Sequence, residues 1–488
     1  MIRSFKLFTN TFQRILVSSF FLLQLLISVL EFLFLSMIPT MVIYMTNPDV
    51  AESNIRNFQN YISQNYFELN IDISIYTYIF ILIFGLLLKN ILSILNTFLE
   101  GGTIRIINYF NIQKIYSYYL NQPLEQIVAN RNSEFIRDII SESSKAVGHL
   151  FNYLLIFKEI ILFFAIFLSI YFNNQIIAFV LSIIFIILMI GVYFSLNKKL
   201  TEKGKIQLKT EANIIENINN YLGVIKEIKI YKLEKFFKEY FSSNLSQRLK
   251  SQMFRFIVQK ILRNVFEIIL ILLITVGAII TKNLNQNFND LLPLLGLLIV
   301  AFLRLVPIIT NINSSFAGII YSRPSFINIQ NVIKNLHIMS MQKNFKKKKI
   351  IIDKFKTLDF KNIEFSYNNS KILDNFSFQL QSNKVIGITG DSGSGKSTIL
   401  NIITGLLKIQ KGTVLADDMG ILDNDFTINN NKIGYVPQDV FLINGSILSN
   451  IALGDINQDI DKQNLNLAIK VAGLEKIFDK NKNINLKK

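Results

Sequence analysis

The chain has 488 residues, 51% of them hydrophobic, and its mean hydropathy of +0.37 favours a membrane protein over several soluble domains. The formal net charge of +17 could attract nucleic acid, but Lys and Arg concentrate between hydrophobic runs, so we expect no nucleic-acid partner. The absence of cysteine excludes disulfides, thiolate metal sites and an appended cysteine protease.

Six hydrophobic runs are long enough to cross a bilayer, which takes about 20 mostly apolar residues in a helix. The first run is too long for a cleaved signal peptide and lacks a small-residue cleavage site, so we expect a retained span. We therefore predict an all-α, six-helix transmembrane domain over residues 1–335. Its spans lie at about 15–45, 73–99, 150–172, 176–196, 264–281 and 291–312.

The distribution of Lys and Arg predicts the orientation of these spans. Basic residues are frequent before the first run, between the second and third, and after the fourth. They are scarce in 46–72, 173–175 and 282–290, so both termini are expected in the cytoplasm. The two long cytoplasmic segments keep helical apolar spacing with few Gly or Pro residues. Spans two to five are therefore expected to continue below the membrane as long helices.

The sequence pattern of the chain changes after the sixth hydrophobic run. Residues 336–356 contain the run Lys346-Lys347-Lys348-Lys349 and are predicted to be a basic linker, either solvated or in contact with acidic lipid headgroups. Beyond it, 358–367 and 376–380 have the pattern of half-buried strands. Residues 357–488 are therefore predicted to form a second domain with α/β character.

This second domain contains a phosphate-binding loop of the form G-x-x-x-x-G-K-S, which follows a strand predicted from the apolar run 385–388 and precedes a predicted helix at 397–407. Its glycines allow the backbone N–H groups to approach phosphate oxygens, and the helix directs its positive end at the anion. Lys396 supplies a cation, Ser397 a hydroxyl for Mg²⁺, and Thr398 further support for the phosphates. The loop predicts binding of ATP and Mg²⁺ by a partial P-loop NTPase domain. Its residues are Gly390, Asp391, Ser392, Gly393, Ser394, Gly395, Lys396 and Ser397.

A second motif, Ile433-Gly434-Tyr435-Val436-Pro437-Gln438-Asp439, is followed by Phe441, Ser446-Ile447 and Asn450-Ile451. It matches the Q-loop segment of ATP-binding cassette (ABC) exporters, and the six-span layout also resembles an exporter half-transporter of type I. This resemblance implies that Gln438 positions Mg²⁺ and the attacking water, and that Tyr367 stacks on the adenine ring. An ordinary tyrosine at a strand end is the alternative for Tyr367.

The resemblance also implies that two tips of the cytoplasmic helices, near 121–133 and 222–229, act as coupling helices against the nucleotide domain. Simple surface turns would have the same sequence pattern. The family's Leu-Ser-Gly-Gly-Gln signature, catalytic acidic strand and switch histidine are missing after the Q-loop motif. Asp417 ends an apolar run but precedes that motif, where the family has a structural hairpin.

The nucleotide domain is therefore expected to be truncated, and this chain alone to bind ATP without hydrolysing it. A coding sequence that continues, a missing part on a separate chain, and a decayed remnant each fit this expectation. The first two would leave a working transporter, whereas the third would be a non-hydrolysing membrane protein.

The substrate expectation comes from looser motifs at 302–325, 225–229 and 130–133, which resemble bacterial lipid-linked oligosaccharide flippases. The resemblance implies ATP-driven flipping or export of an amphipathic, lipid-linked saccharide by a dimer in the bacterial cytoplasmic membrane, in contact with membrane lipids. Peptide or drug export is the nearest alternative. An arginine inside a span is costly and usually faces a cavity or a partner. Arg304 is therefore expected to bind the pyrophosphate of the substrate, to pair with Glu31, or to do both.

Overall fold

The computed structural model divides the chain into two units, Met1–Lys347 and Lys348–Lys488. The division lies inside the predicted basic linker, although the last helix of the first unit continues to Phe345. The structure describes residues 2–46, 48–53, 75–129, 132–173, 175–283, 288–345, 350–352, 354–367, 370–417, 419–421, 426–428, 433–438, 440–452 and 461–475.

The described residues of the first unit are helical apart from short connections at 9–10, 121–123, 224 and 232–233. A π-helical turn, Asp138–Glu142, joins its fifth and sixth helices into one continuous element. The helices are α1 (Ile2–Phe8), α2 (Thr11–Thr46), α3 (Ile75–Leu120), α4 (Leu124–Ala129), α5 (Asn132–Arg137), α6 (Ser143–Asn173), α7 (Gln175–Gly223), α8 (Ile225–Tyr231), α9 (Glu234–Asn283) and α10 (Phe288–Phe345).

Four helical stretches in the described residues are long and apolar enough to cross a membrane: Thr11–Tyr44, Tyr76–Leu120, Asn132–Phe172 and Leu303–Leu336. They contain the third predicted span, most of the first and second, and part of the sixth; residues 73 and 74 of the second span lie outside the described residues. The fourth and fifth predicted spans lie in α7 and α9, so the count of six stays a prediction. Helices α3, α7 and α9 have 46, 49 and 50 residues, more than twice the length needed for one crossing.

The core of the first unit lies where α10 packs against α6. One cluster joins Ile166 and Ile170 of α6 to Leu305, Ile308 and Ile309 of α10. A second cluster includes the α1 residue Phe8 and also contains Ile107, Ile115, Phe151 and Ile329. Large apolar side chains on the outer faces of the long helices stay exposed, as expected where lipid rather than water surrounds a helix.

The long helices are also joined by ion pairs below the predicted spans. Glu211 of α7 contacts Lys145 of α6 and Arg248 of α9, the latter at 3.4 Å. Burial alone would raise the pKa of the Glu211 carboxyl, but the hydrogen bond and charge of Lys145, with Arg248, bring it below its ordinary value. Glu211 therefore stays ionised and holds three helices together.

Both predicted tips of the cytoplasmic helices are turns that carry a short helix. After α3, Pro123 precedes α4; residues 130 and 131 of this tip lie outside the described residues. After α7, the short helix α8 is followed by Lys232, whose left-handed backbone conformation with a φ of 52° turns the chain before α9. A contact between these tips and the second unit stays a prediction.

The second unit contains a four-stranded antiparallel sheet of order β3-β2-β4-β5 and a separate parallel pair, β1 and β6. Alternate side chains of β2 are buried on either side of a bulge between Phe360 and Ile363, namely Leu358 and Phe360 before it and Ile363 and Phe365 after it. The strands are β1 (Ile350–Ile352), β2 (Thr357–Tyr367), β3 (Ser370–Gln381), β4 (Lys411–Ala416), β5 (Met419–Ile421) and β6 (Phe426–Ile428); the helices are α11 (Lys396–Ile403), α12 (Ile447–Ile451) and α13 (Lys462–Val471).

The apolar run 385–388 differs from its prediction. We expected a strand before the phosphate loop, but these residues are not assigned to any sheet, and Val385 is fully exposed. A strand exists only through hydrogen bonds to a neighbour. Within the described residues no strand pairs with this run.

Helices α7 and α10 approach each other closely at Gly204. A Cβ atom at this position would lie 2.2 Å from the backbone oxygen of Tyr321, so only glycine fits without a shift of the backbone. Gly191, on the same helix, has open space around it. Gly191 therefore serves as a control position on the same helix, because a methyl group there would meet no neighbouring atom of the described residues.

We predict that Gly204→Ala destabilises the protein by about 1–3 kcal/mol, because the added methyl group forces α7 away from α10. Gly191→Ala should be neutral or slightly stabilising, since alanine favours a helix more than glycine. The thermal unfolding midpoint of each variant in detergent measures the difference. Equal midpoints for the two variants would contradict the close contact.

Candidate functional site

The phosphate loop has the backbone conformation that its sequence predicts. Gly393 and Gly395 have φ angles of 83° and 92°, which are strained for any residue with a Cβ atom. Gly395 immediately precedes α11, so the positive end of this helix lies at the loop. The loop therefore places its backbone N–H groups and a helix N-terminus at one point, an arrangement that binds phosphate.

Lys396 is held against the loop by its own backbone. Its Nζ donates to the carbonyl oxygens of Gly390 at 2.7 Å and Asp391 at 2.6 Å. The ammonium group therefore stays at the loop, where it can contact a bound anion, and does not extend into solvent. Ser397 is exposed in the first turn of α11 and Thr398 is buried. The loop residues predicted from the sequence are therefore close together, and their donors suit a triphosphate and its Mg²⁺ ion.

The strands β2 and β3 bring Tyr367 towards this loop. A Cβ atom on Gly395 would lie 3.0 Å from Ile372 and 3.3 Å from Leu373, so the start of β3 packs on the loop. Leu373 pairs with Phe365, and Tyr367, two residues further along β2, pairs with Ser370. The Tyr367 ring packs edge-on against Phe365, with 4.9 Å between the ring centroids.

Gln410 supports this tyrosine, and sequence reasoning missed it. Its Nε2 donates to the carbonyl of Ser366 and its Oε1 accepts from the N–H of Ser366, both at 2.9 Å. These two hydrogen bonds fix the end of β2 next to Tyr367. The two residues are 44 positions apart, so no local pattern in the sequence indicates the contact.

Gln438 lies in residues 433–438, an exposed segment without helix or strand. The motif that follows it is held by two side chains. Ser446 caps α12 by accepting from the N–H of Ser449 at 3.1 Å, and Asn450 bonds both backbone groups of Ile443. These contacts give Ser446 and Asn450 a structural role, whereas the role of Gln438 stays a prediction.

Asp417 has the structural role expected from its position. It turns the chain between β4 and β5 with a φ of 52°, and its Oδ1 accepts from the N–H groups of Lys356 and Thr357, both at 2.8 Å. The N–H groups of Thr357 and Lys356 lower the pKa of this carboxyl below its ordinary value. Its oxygen is therefore engaged by the backbone at a hairpin.

Arg304, the candidate substrate residue of the membrane unit, pairs with Glu31. Its Nε lies 3.0 Å from Oε1 of Glu31, while Lys89 of α3 lies 2.7 Å from Oε2. Lys89 and Glu31 are almost completely buried, but the side chain of Arg304 is 40% exposed. The alternative of pairing with Glu31 is thus present in the structure. Lys89 is a second cation at this position that sequence reasoning missed.

Comparison with known proteins gives matches in the second unit. Residues 373–486 match the family model of ABC transporters, described as "ABC transporter". A protein of Rickettsia typhi that carries an export ATP-binding/permease name is 35% identical over 127 residues, which are 25% of this chain and 22% of that protein. The chain thus covers about a fifth of the length of the curated relatives it matches.

Two further relatives are named for other cargoes. The mitochondrial iron-sulfur clusters transporter ATM1 of Gibberella zeae is 32% identical over 150 residues, 29% of this chain and 21% of that protein. The mycobactin import ATP-binding/permease protein IrtB of Mycolicibacterium thermoresistibile is 32% identical over 124 residues, 25% and 21% respectively. Residues 373–486 are therefore similar to the ABC transporter family, and the relatives of the chain include export ATP-binding/permease proteins.

Proposed function

We propose that the chain is one half of an ABC exporter, in which ATP bound at the phosphate loop drives export of an amphipathic substrate across a bacterial cytoplasmic membrane. The conformation of residues 390–397 carries this proposal, because glycines, Lys396 and the start of α11 make an arrangement suited to phosphate within a segment that matches the ABC transporter family model. The apolar helices of the first unit supply the membrane part.

In this proposal residues 1–335 form the six-span domain with both termini in the cytoplasm, 336–356 the linker, and 357–488 the nucleotide-binding part. The scarcity of Lys and Arg in the segments assigned to the outer side supports the orientation. ABC exporters work as dimers or with a second half-transporter, so the partner is a second copy of this chain or a related half.

Each residue of the site has a proposed role. The loop backbone and Lys396 hold the β- and γ-phosphates, Thr398 supports them, and Tyr367 stacks on adenine. Ser397 and Gln438 hold Mg²⁺, which neutralises charge on the phosphates when bound. Gln438 also positions the attacking water when a partner completes the hydrolytic site.

A lipid-linked saccharide is the proposed substrate. Arg304 supports this choice, because its partly exposed guanidinium shares one carboxylate with a second cation, leaving one positive charge for an anionic group. The names of the relatives describe different cargoes and therefore favour none for this chain. Peptide or drug export stays the alternative.

The first experiment removes the ammonium group of the loop. Lys396→Ala should weaken ATP binding by about tenfold or more, because a charge-assisted contact to the phosphates is lost. Lys384→Ala removes the same charge from an exposed position outside the loop and serves as the control. Titration of each purified variant with a fluorescent ATP analogue and Mg²⁺ measures the affinity. If both variants bind like the unaltered chain, the loop is not the site.

The second experiment tests stacking by Tyr367. Tyr367→Leu should weaken ATP binding about three- to tenfold, whereas Tyr367→Phe keeps the ring and should stay within about twofold of the unaltered chain. Inorganic tripolyphosphate has no base and should bind all three proteins equally. An equal loss of tripolyphosphate binding would instead indicate that the leucine variant distorts the loop.

The third experiment tests Arg304 with farnesyl pyrophosphate, a lipid that carries the pyrophosphate without a sugar. In phosphatidylcholine nanodiscs, Arg304→Gln should reduce its binding about tenfold through loss of a charged hydrogen-bond donor. Arg323→Gln removes a charge from an exposed position on the same helix and should leave binding unchanged. Unchanged binding in Arg304→Gln, with an unchanged unfolding midpoint, would remove Arg304 from the substrate path.

A further inference from the structure

Polar side chains recur at a spacing of seven residues on three helices of the first unit. The first set is Glu31, Lys89 and Arg304; the second set is Gln24, Asn96 and Asn311. Seven residues make two helical turns, about 10 Å along the axis, and return to nearly the same side of the helix. We call the two sets the first and second rungs of a polar ladder.

Contacts between helices join all three members of the first rung and two members of the second. Glu31 of α2 bonds Lys89 of α3, and Gln24 of α2 bonds Asn96 of α3, as expected for antiparallel neighbours. On the other side, Asn311 of α10 donates to Glu159 of α6 at 2.9 Å. The ladder therefore adds polar contacts between apolar helices, two of which, α6 and α3, also share the ion pair of Lys158 and Glu100.

The first rung has an excess of positive charge. The carboxylate of Glu31 uses one oxygen for Lys89 and the other for the Nε of Arg304, so two cations share one anion. An uncompensated charge among membrane helices is costly. A bound anion next to the exposed end of Arg304 would balance it.

The second rung has unused hydrogen-bonding capacity. Gln24 and Asn96 are each 2% exposed, and Asn96 donates to Oε1 of Gln24 at 2.9 Å. Within the described residues, the Nε2 of Gln24 and the Oδ1 of Asn96 are buried without a partner. A hydroxyl group both donates and accepts a hydrogen bond, so it can pair with one free donor and one free acceptor of this kind, and burying them unpaired is unfavourable.

We propose that the ladder binds a lipid headgroup in which a phosphate is joined to a hydroxyl-bearing sugar. Lys89 and Arg304 take the phosphate, and Gln24 and Asn96 take a hydroxyl of the sugar two helical turns away. The inference rests on the proposed function for its lipid-linked substrate and adds the residues that distinguish the sugar. Phosphatidylglycerol offers the same two groups on an ordinary membrane lipid, so it is the competing ligand.

The experiment compares two probes in phosphatidylcholine nanodiscs without ATP: farnesyl pyrophosphate, and the same lipid carrying N-acetylglucosamine. The unaltered chain should bind the sugar-bearing lipid about tenfold more tightly. The double variant Gln24→Leu/Asn96→Leu should lose this advantage and keep its affinity for farnesyl pyrophosphate. Replacing both amides together leaves neither unpaired, so the fold is preserved. Gln113→Leu removes an exposed amide of α3 and should keep the advantage.

Each outcome decides the proposal. If the double variant keeps the sugar advantage, the second rung only packs helices and the ladder is overturned, whereas the role of Arg304 stands. If neither probe binds the unaltered chain, the ladder and the lipid substrate both fail, while ATP binding at Lys396 is untouched. If phosphatidylglycerol competes fully with the sugar-bearing lipid, and the double variant abolishes that competition, the ligand is an ordinary membrane lipid and the saccharide assignment is overturned.

Discussion

Glu31 determines how three helices of the membrane unit can be arranged, because its carboxylate accepts from both Lys89 and Arg304. Transfer of a charged group into an apolar interior costs several kcal/mol, and removal of one partner from a buried pair costs about 3–5 kcal/mol. The ion pair of Glu31 and Lys89 also requires α2 and α3 to lie close together. Gly85 supplies the room, since a Cβ atom there would overlap the ring of Phe34, one turn from Glu31.

The pairing of a charged side chain also matters in the phosphate loop. The ammonium group of Lys396 donates hydrogen bonds to the carbonyl oxygens of Gly390 and Asp391. These oxygens belong to neutral groups, so the positive charge of Lys396 is not compensated by them. A loop held in this way needs little rearrangement when an anion binds, so less binding free energy is lost to ordering. Arg304 is comparable, because its contact to Glu31 uses Nε and leaves the rest of the guanidinium for another group.

The sequence predicted those features that depend on neighbours along the chain. The phosphate loop and the strand pattern of β2 follow from local spacing, and the first three hydrophobic runs fall in membrane-capable helices. It named Glu31 as one of two partners for Arg304, but it missed Lys89, because the rotation of α3 relative to α2 is not encoded in the periodicity of either helix. Gln410 was missed for the same reason. The run at 385–388 was predicted as a strand because propensity is local, whereas pairing is not.

Two rungs rather than one matter for specificity. Bacterial membranes contain phosphate in nearly every headgroup, so a lone arginine would hold ordinary phospholipids as readily as a rare substrate. A site built to bond a hydroxyl rejects ligands that lack one, because its own buried polar groups are then left unpaired. In the proposed lipid site Gln24 and Asn96 provide this penalty, because within the described part of the chain each has a buried polar atom without a hydrogen-bond partner.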